Sequence, residues 1–133
     1  MGPVNWLAVV LAAVVALVLG LVWHGWLFRP RKRLLANPSS QSGSGRLASV
    51  IVMLLASIMF GHAFARIGEA VLAVKPWLYF MQTGGIAIAF VIPTLWWTHS
   101  RLCTEPGRKV LDCLFWLIAY LAMGAVFWAV PLI

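Results

Sequence analysis

Four long apolar runs, parted by short polar or basic interruptions, organise the chain. The first extends from Val4 to Phe28, long enough at 1.5 Å per residue to cross a ~30 Å hydrocarbon core with some tilt. Arg29-Pro30-Arg31-Lys32-Arg33 ends it, because Pro30 cannot continue a helix. A Ser/Gly-rich stretch through Gly45, closed by Arg46, reads as a flexible loop. The second run begins at Leu47 and is apolar to Ala65, with Arg66 and Glu69 at its polar end, so a span is predicted over 47–69. The third starts near Pro76, a good first-turn residue, and runs to Thr98, with Pro93 inside it. Pro93 predicts a kink and a freed carbonyl for a neighbouring group or water to satisfy. His99 to Lys109 reads as a polar loop around Pro106-Gly107, and a fourth span covers 110–130 before Pro131.

Composition turns these runs into a class. Hydrophobic residues make up 63% of the chain and charged ones only 10%, whereas soluble domains carry about a quarter charged residues. A water-facing surface cannot be built from such a chain. The fold expected is an all-α integral membrane protein, a four-helix transmembrane bundle forming one domain over 1–133. The first run does not read as a signal peptide: no Lys or Arg precedes it, it is too long, and the basic cluster follows it.

The net charge of +7 matters through its distribution. Arg29, Arg31, Lys32, Arg33, Arg46, Arg101, Arg108 and Lys109 lie in the loops after spans one and three, against Arg66 and Lys75 on the other side. This bias predicts cytoplasmic basic loops, with both termini on the non-cytoplasmic side. Arg29, Arg31, Lys32, Arg33, Arg101, Arg108 and Lys109 are then orientation signals and contacts for lipid headgroups. With no groove-binding or base-stacking motif beside them, nucleic acid is not an expected partner. Trp6, Trp77 and Trp128 fall near one predicted interface and Trp23, Trp26, Trp96 and Trp97 near the other, as an aromatic belt requires. Cys103 and Cys113 have neither a C-x-x-C spacing nor a His cluster beside them, and a reducing face disfavours a disulfide.

Small residues suggest how the spans associate. Ala8, Ala12, Ala16 and Gly20 recur at four-residue spacing on span one, and such a ridge lets helix backbones approach closely. Gly85 and Ala89 lead into Pro93 on one ridge of span three, and Gly124 lies four residues beyond Tyr120 on span four. All are expected at helix contacts.

Candidate chemistry is sparse. His24 follows Gly20 on the same ridge, and an imidazole with a small residue four before it is a possible ligand for haem or a chlorophyll-type pigment. Its position near the interface equally suits a solvated histidine. His62 is the deeper histidine, and the two differ too much in depth to share one haem. His62, Arg66 and Glu69 fall at i, i+4 and i+7, read either as a polar path or as an interfacial cluster in which Arg66 pairs with Glu69. Asp112 is a first-turn carboxylate favoured by the helix dipole, or a partner for a nearby base. No metal-ligand cluster, phosphate loop or nucleophile–base pair is apparent, and none of the three acidic residues falls at mid-span, where a proton-coupled carrier needs one. No enzyme activity, cofactor or metal is therefore expected.

Val4-Asn5-Trp6-Leu7-Ala8-Val9, Gly20-Leu21-Val22-Trp23 through Leu27-Phe28, Gly85 through Pro93, Leu111-Asp112 with Phe115-Trp116-Leu117, and Met123-Gly124-Ala125 together resemble an uncharacterised bacterial membrane family, catalogued as domain of unknown function 1761. The resemblance covers most of the chain except the first loop. It implies architecture and a multi-pass location in a bacterial inner membrane, cytoplasmic or intracytoplasmic, but no activity. Where such proteins tend to have Trp-Tyr-Gly-Pro, this chain has Trp23-His24-Gly25-Trp26. Three functions stay open. The first is an accessory or structural subunit, packing on itself or on other transmembrane subunits of a photosynthetic or respiratory assembly. The second is a pigment-, haem- or lipid-binding protein using His24 or His62. The third is a small-solute or ion transporter, hinged at Pro93 with His62, Arg66 and Glu69 as its path.

Overall fold

A computed structural model describes residues 2–28 and 43–130. Arg29, Arg31, Lys32, Arg33 and Pro131 lie outside the described residues. The described residues form helices joined by short connections, with no strand among them. Helix α1 (Trp6–Val22) continues into a π turn (Trp23–Leu27), and α2 covers Gly43–Ile67. A short α3 (Glu69–Val74) precedes α4 (Trp77–Ile86), a second π turn (Ala87–Val91), α5 (Ile92–Arg101) and α6 (Pro106–Ala129). Counted through the π turns, four helices are long and apolar enough to cross a membrane: Trp6–Leu27, Leu47–Ile67, Trp77–Arg101 and Pro106–Ala129.

Three ends extend past the expected boundaries, and the first span, Trp6–Leu27, is shorter than expected at both ends. The second helix begins at Gly43, four residues inside the expected loop, and the third continues through His99 to Arg101. The fourth begins at Pro106, so His99–Lys109 is mostly helical and only 102–105 connects the pair. Apolar runs mark where burial in lipid could occur, whereas backbone hydrogen bonding continues into polar sequence until a cap or breaker stops it. Pro106 at a helix start is such a signal.

Helix α1 lies at the centre of the packing, between α2 and α6, and α4 packs on the far side of α6. Ala8, Ala12 and Ala16 are wholly buried there, with Val9 and Ala13 beside them. Gly20 closes the ridge against the Phe115 ring, which would stand 3.4 Å from an added Cβ. On the α2 side the buried Ser57 hydroxyl donates to the Val9 carbonyl at 2.6 Å. A Cβ on Gly61 would come within 2.6 Å of Val9 Cγ2, so only glycine permits this crossing. At the start of α1, Asn5 Oδ1 accepts the Ala8 N–H at 3.0 Å, a side-chain N-cap. Asn5 Nδ2 donates to the Val130 carbonyl at 3.1 Å. Both ends of the described chain therefore meet at one end of the bundle, where Gly2 N–H also bonds Ala65 O at 3.1 Å.

The α4–α6 seam is reciprocal: Gly84 receives Leu121, and Gly124 receives Thr83 together with the Tyr79 carbonyl. Gly124 thus stands at a helix contact, but Gly85 and Ala89 do not. Both are exposed, and a Cβ on Gly85 would meet nothing within 4 Å. Thr83, Gly84 and Ala87 carry the contact instead, one to two residues away. Spacing fixes a ridge but not which of two neighbouring ridges faces inward.

Pro93 is accommodated by the preceding π turn, in which Ile92 N–H reaches back to Ala87 O. A widened turn relieves the clash between a proline ring and the carbonyl four residues earlier. The Phe90 carbonyl is taken by Thr94 Oγ1 at 2.7 Å.

The glycine seams separate two substitutions of identical chemistry. Gly124→Ala should destabilise the bundle by about 1–3 kcal/mol, because the Tyr79 carbonyl, 3.1 Å from the new Cβ, is backbone. Gly107→Ala, with nothing within 4 Å, should leave thermal unfolding in detergent unchanged or slightly improved. Equal melting temperatures would refute the seam.

Candidate functional site

Most hydroxyls along the apolar helices are consumed locally. Thr83, Thr94, Thr98 and Ser100 each donate to the carbonyl four residues earlier, which satisfies a polar group in apolar surroundings at little cost. Chemistry is left mainly at the two ends of the bundle.

At the α5–α6 end, the extension of α5 brings His99 over the start of α6. His99 Nε2 lies 3.1 Å from Asp112 Oδ2, and Nδ1 lies 3.2 Å from Thr104 Oγ1. This imidazole ties helix, connection and next helix together. Asp112 therefore has a basic partner, which the sequence left as one of two alternatives. Lys109 Nζ donates to Ser100 Oγ at 3.3 Å and stands 5.8 Å from the Trp96 ring centre, while Arg101 stands 5.1 Å from that of Trp97. Trp faces beside cations add an attraction beyond charge. Cys103, in the connection, has φ +51°. Both cysteines are free, Cys103 exposed and Cys113 buried.

A hydroxyl, an imidazole and a carboxylate in series have the order of a nucleophilic triad. Spacing along the chain does not reveal it, because Thr104 and Asp112 are brought to His99 by the tight turn. The cavity described below lies at the opposite end of the bundle, and this series joins α5, the connection and α6. Its geometry is that of a clamp on a helical hairpin.

At the Asn5 end, a cavity of about 410 Å³ opens between the start of α1, the α2–α3 junction, α4 and the end of α6. Gly68 creates the junction: its φ of +89° is a region that side chains rarely adopt, and it breaks the helix between Ile67 and Glu69. Glu69 therefore starts a new helix and does not continue the face of His62 and Arg66. The expected Arg66–Glu69 pair is not formed; among the described residues the ion pair present is His99–Asp112. Glu69, Asn5 and Tyr79 supply polar atoms to the cavity wall, and Phe64, Phe127 and Trp128 supply rings. The rings of Phe64 and Tyr79 are 4.7 Å apart, and those of Phe64 and Phe127 are 5.0 Å apart. Neither the Glu69 carboxylate nor the Tyr79 hydroxyl has a hydrogen-bond or ionic partner among the described residues. Sequence spacing could not find this wall, since it is assembled from four helices across a positive-φ glycine.

The two remaining histidines face outward. His62 is exposed, with Nδ1 2.9 Å from the Ile58 carbonyl and its ring edge-on to Trp6. His24 is exposed in the first π turn, its ring 4.8 Å from that of Phe115. The space that Gly20 leaves beside it is filled by the same Phe115, so that glycine serves helix packing. Among the described residues, no group of three His, Cys, Asp or Glu side chains could hold a metal.

Against this geometry, the family model for proteins of unknown function (DUF1761) matches residues 7–128. The chain belongs to that family. No curated protein and no solved structure matches it.

The clamp makes a quantitative prediction. In a double-mutant cycle between His99→Ala and Asp112→Ala, the coupling energy read from chemical or thermal unfolding should be about 0.5–1.5 kcal/mol. A coupling near zero would mean that the hairpin does not depend on this pair.

Proposed function

We propose that the chain is a non-catalytic, multi-pass protein of a bacterial inner membrane, a single transmembrane domain that packs laterally against a second copy or against larger transmembrane subunits. Both termini are read as non-cytoplasmic, and the basic loops as cytoplasmic. Arg101, Arg108 and Lys109 cluster at one end of the bundle, and Arg66 and Lys75 flank the other, in agreement with a positive-inside bias.

The observation that carries the accessory role is the outward ridge of the third span. Gly85, Ala89 and Pro93 recur every four residues and are exposed, and α5 buries none of its residues. Among the described residues a Cβ on Gly85 would meet nothing within 4 Å, while the neighbouring ridge makes the α4–α6 seam. In lipid, helices associate through small residues that admit a close partner, so an unused ridge of this kind suits a neighbour from outside the chain. The transporter reading has less support. His62 and Arg66 are exposed on α2, Glu69 lies beyond the Gly68 break, and the three do not line a common path. Pigment or haem ligation at His24 likewise has little support beside Phe115, which takes up the room next to it.

Gly85→Leu separates fold from association. Projecting into open space, it should leave the melting temperature of the purified protein unchanged, yet abolish a dimer or a co-purifying partner in native mass spectrometry from a gentle detergent. Gly84→Leu, driven against Leu121, should unfold the protein. A wild-type protein that is strictly monomeric and alone, or a Gly85→Leu variant with undiminished association, would count against the reading.

A further inference from the structure

The cavity at the Asn5 end has a chemistry that lateral packing does not use. Its wall joins one carboxylate to a cluster of aromatic rings: Glu69 with Phe64, Tyr79, Phe127 and Trp128. A single carboxylate is a poor metal site, because hard divalent cations take six or more oxygen ligands or keep a shell of water. An apolar wall with few polar groups and a volume near 410 Å³ instead falls in the range of sites for small organic ligands. Aromatic faces attract an organic cation through the ring quadrupole, and most strongly where water is excluded. Among the described residues Glu69 is the one charged residue on this wall, which neither Arg66 nor Lys75 lines, so a cation is the charge it would attract.

We propose that this cavity binds an organic ammonium group, primary or quaternary. Its charge is met by Glu69, its carbon substituents lie against Phe64, Phe127 and Trp128, and the Tyr79 hydroxyl is available to any oxygen the ligand carries. The group has two sources, a free amine or the headgroup of an amine-bearing phospholipid. The second would lie at the level of the helix ends, where this cavity opens between the start of α1 and the end of α6. The site is remote from the Gly85 ridge, so its failure would not bear on lateral association.

The test uses the full chain in a non-ionic detergent, with Glu69→Gln as the principal variant and its melting temperature as a check on folding. Glu69 is exposed at the start of a short helix, so the variant is expected to fold as the wild type does. Calorimetric titration with choline, and with its uncharged carbon isostere 3,3-dimethylbutanol, reads the free-amine arm. Native mass spectrometry after extraction from bilayers of equal phosphatidylethanolamine and phosphatidylglycerol reads the lipid arm. The expected result is saturable choline binding that is weakened at least about tenfold by Glu69→Gln or by the neutral isostere. Selective retention of phosphatidylethanolamine, lost in Glu69→Gln, would support the proposal equally and assign the source to lipid. Binding in neither arm, or binding that Glu69→Gln leaves intact, overturns it. Tyr79→Phe adds a second variant, for which a smaller loss of affinity is expected.

Discussion

Everything in this bundle depends on how closely α1 can approach two neighbours at once. Hydrophobic residues cannot drive that approach in an apolar solvent, because lipid tails welcome a leucine as readily as another helix does. What remains is contact between backbones. Ala8, Ala12 and Ala16 have no exposed surface at all, and Gly61 and Gly20 supply the matching hollows on the two sides. The Ser57–Val9 hydrogen bond sits in this dry contact, where a hydroxyl donor on α2 reaches the backbone of α1 directly. The same logic recurs between α4 and α6, where each helix offers a glycine to the other's side chain. Phe60, Phe64, Phe115, Tyr120, Met123 and Phe127 fill the remaining interior, while exposed Leu, Val, Ile, Phe and Trp side chains cover the outside of all four long helices.

This distribution pushes polar chemistry to the ends. One end carries Arg101, Arg108 and Lys109, the Trp96 and Trp97 rings and the His99 clamp. The other carries Glu69, Tyr79 and an open cavity. The asymmetry is one of chemistry as well as charge: at the first end His99 joins Thr104 and Asp112, and Lys109 joins Ser100, whereas Glu69 and Tyr79 retain unused bonding capacity. The proposed binding role lies with the second end because of that difference.

Much of the architecture was legible from the apolar runs alone, since a chain this poor in charge has few ways to satisfy its backbone other than long helices. The α1 ridge was legible too, because four small residues in register leave little doubt about which face is narrow. Three features were not. The phase of the third span escaped, as Gly85–Ala89 and Gly84–Ala87 are adjacent ridges of similar residues. Helix ends escaped, as His99 and Arg101 are polar yet still within hydrogen-bonded backbone. The cavity escaped because Gly68 sits in an ordinary-looking Arg-Ile-Gly-Glu stretch, and only its positive φ turns Glu69 away from Arg66. The Asn5 cap, too, came only with the structure, as did its second bond to Val130, which joins residues far apart in the chain.

That second bond has a consequence for how the protein is made. Asn5 and Val130 are 125 residues apart, so α1 leaves the ribosome well before α6, which completes its packing. At roughly 5–20 residues per second, the chain from the end of α1 at Val22 to the end of α6 at Ala129 takes on the order of 5–21 s to synthesise, and α1 waits that long for α6. During that interval only α2 can cover it, and its second narrow face is open to any passing helix, including the same face of a neighbouring nascent chain. Correct assembly is therefore a race between the arrival of α6 and the capture of a half-finished seam, and the outcome depends on how crowded the membrane is with copies of this chain.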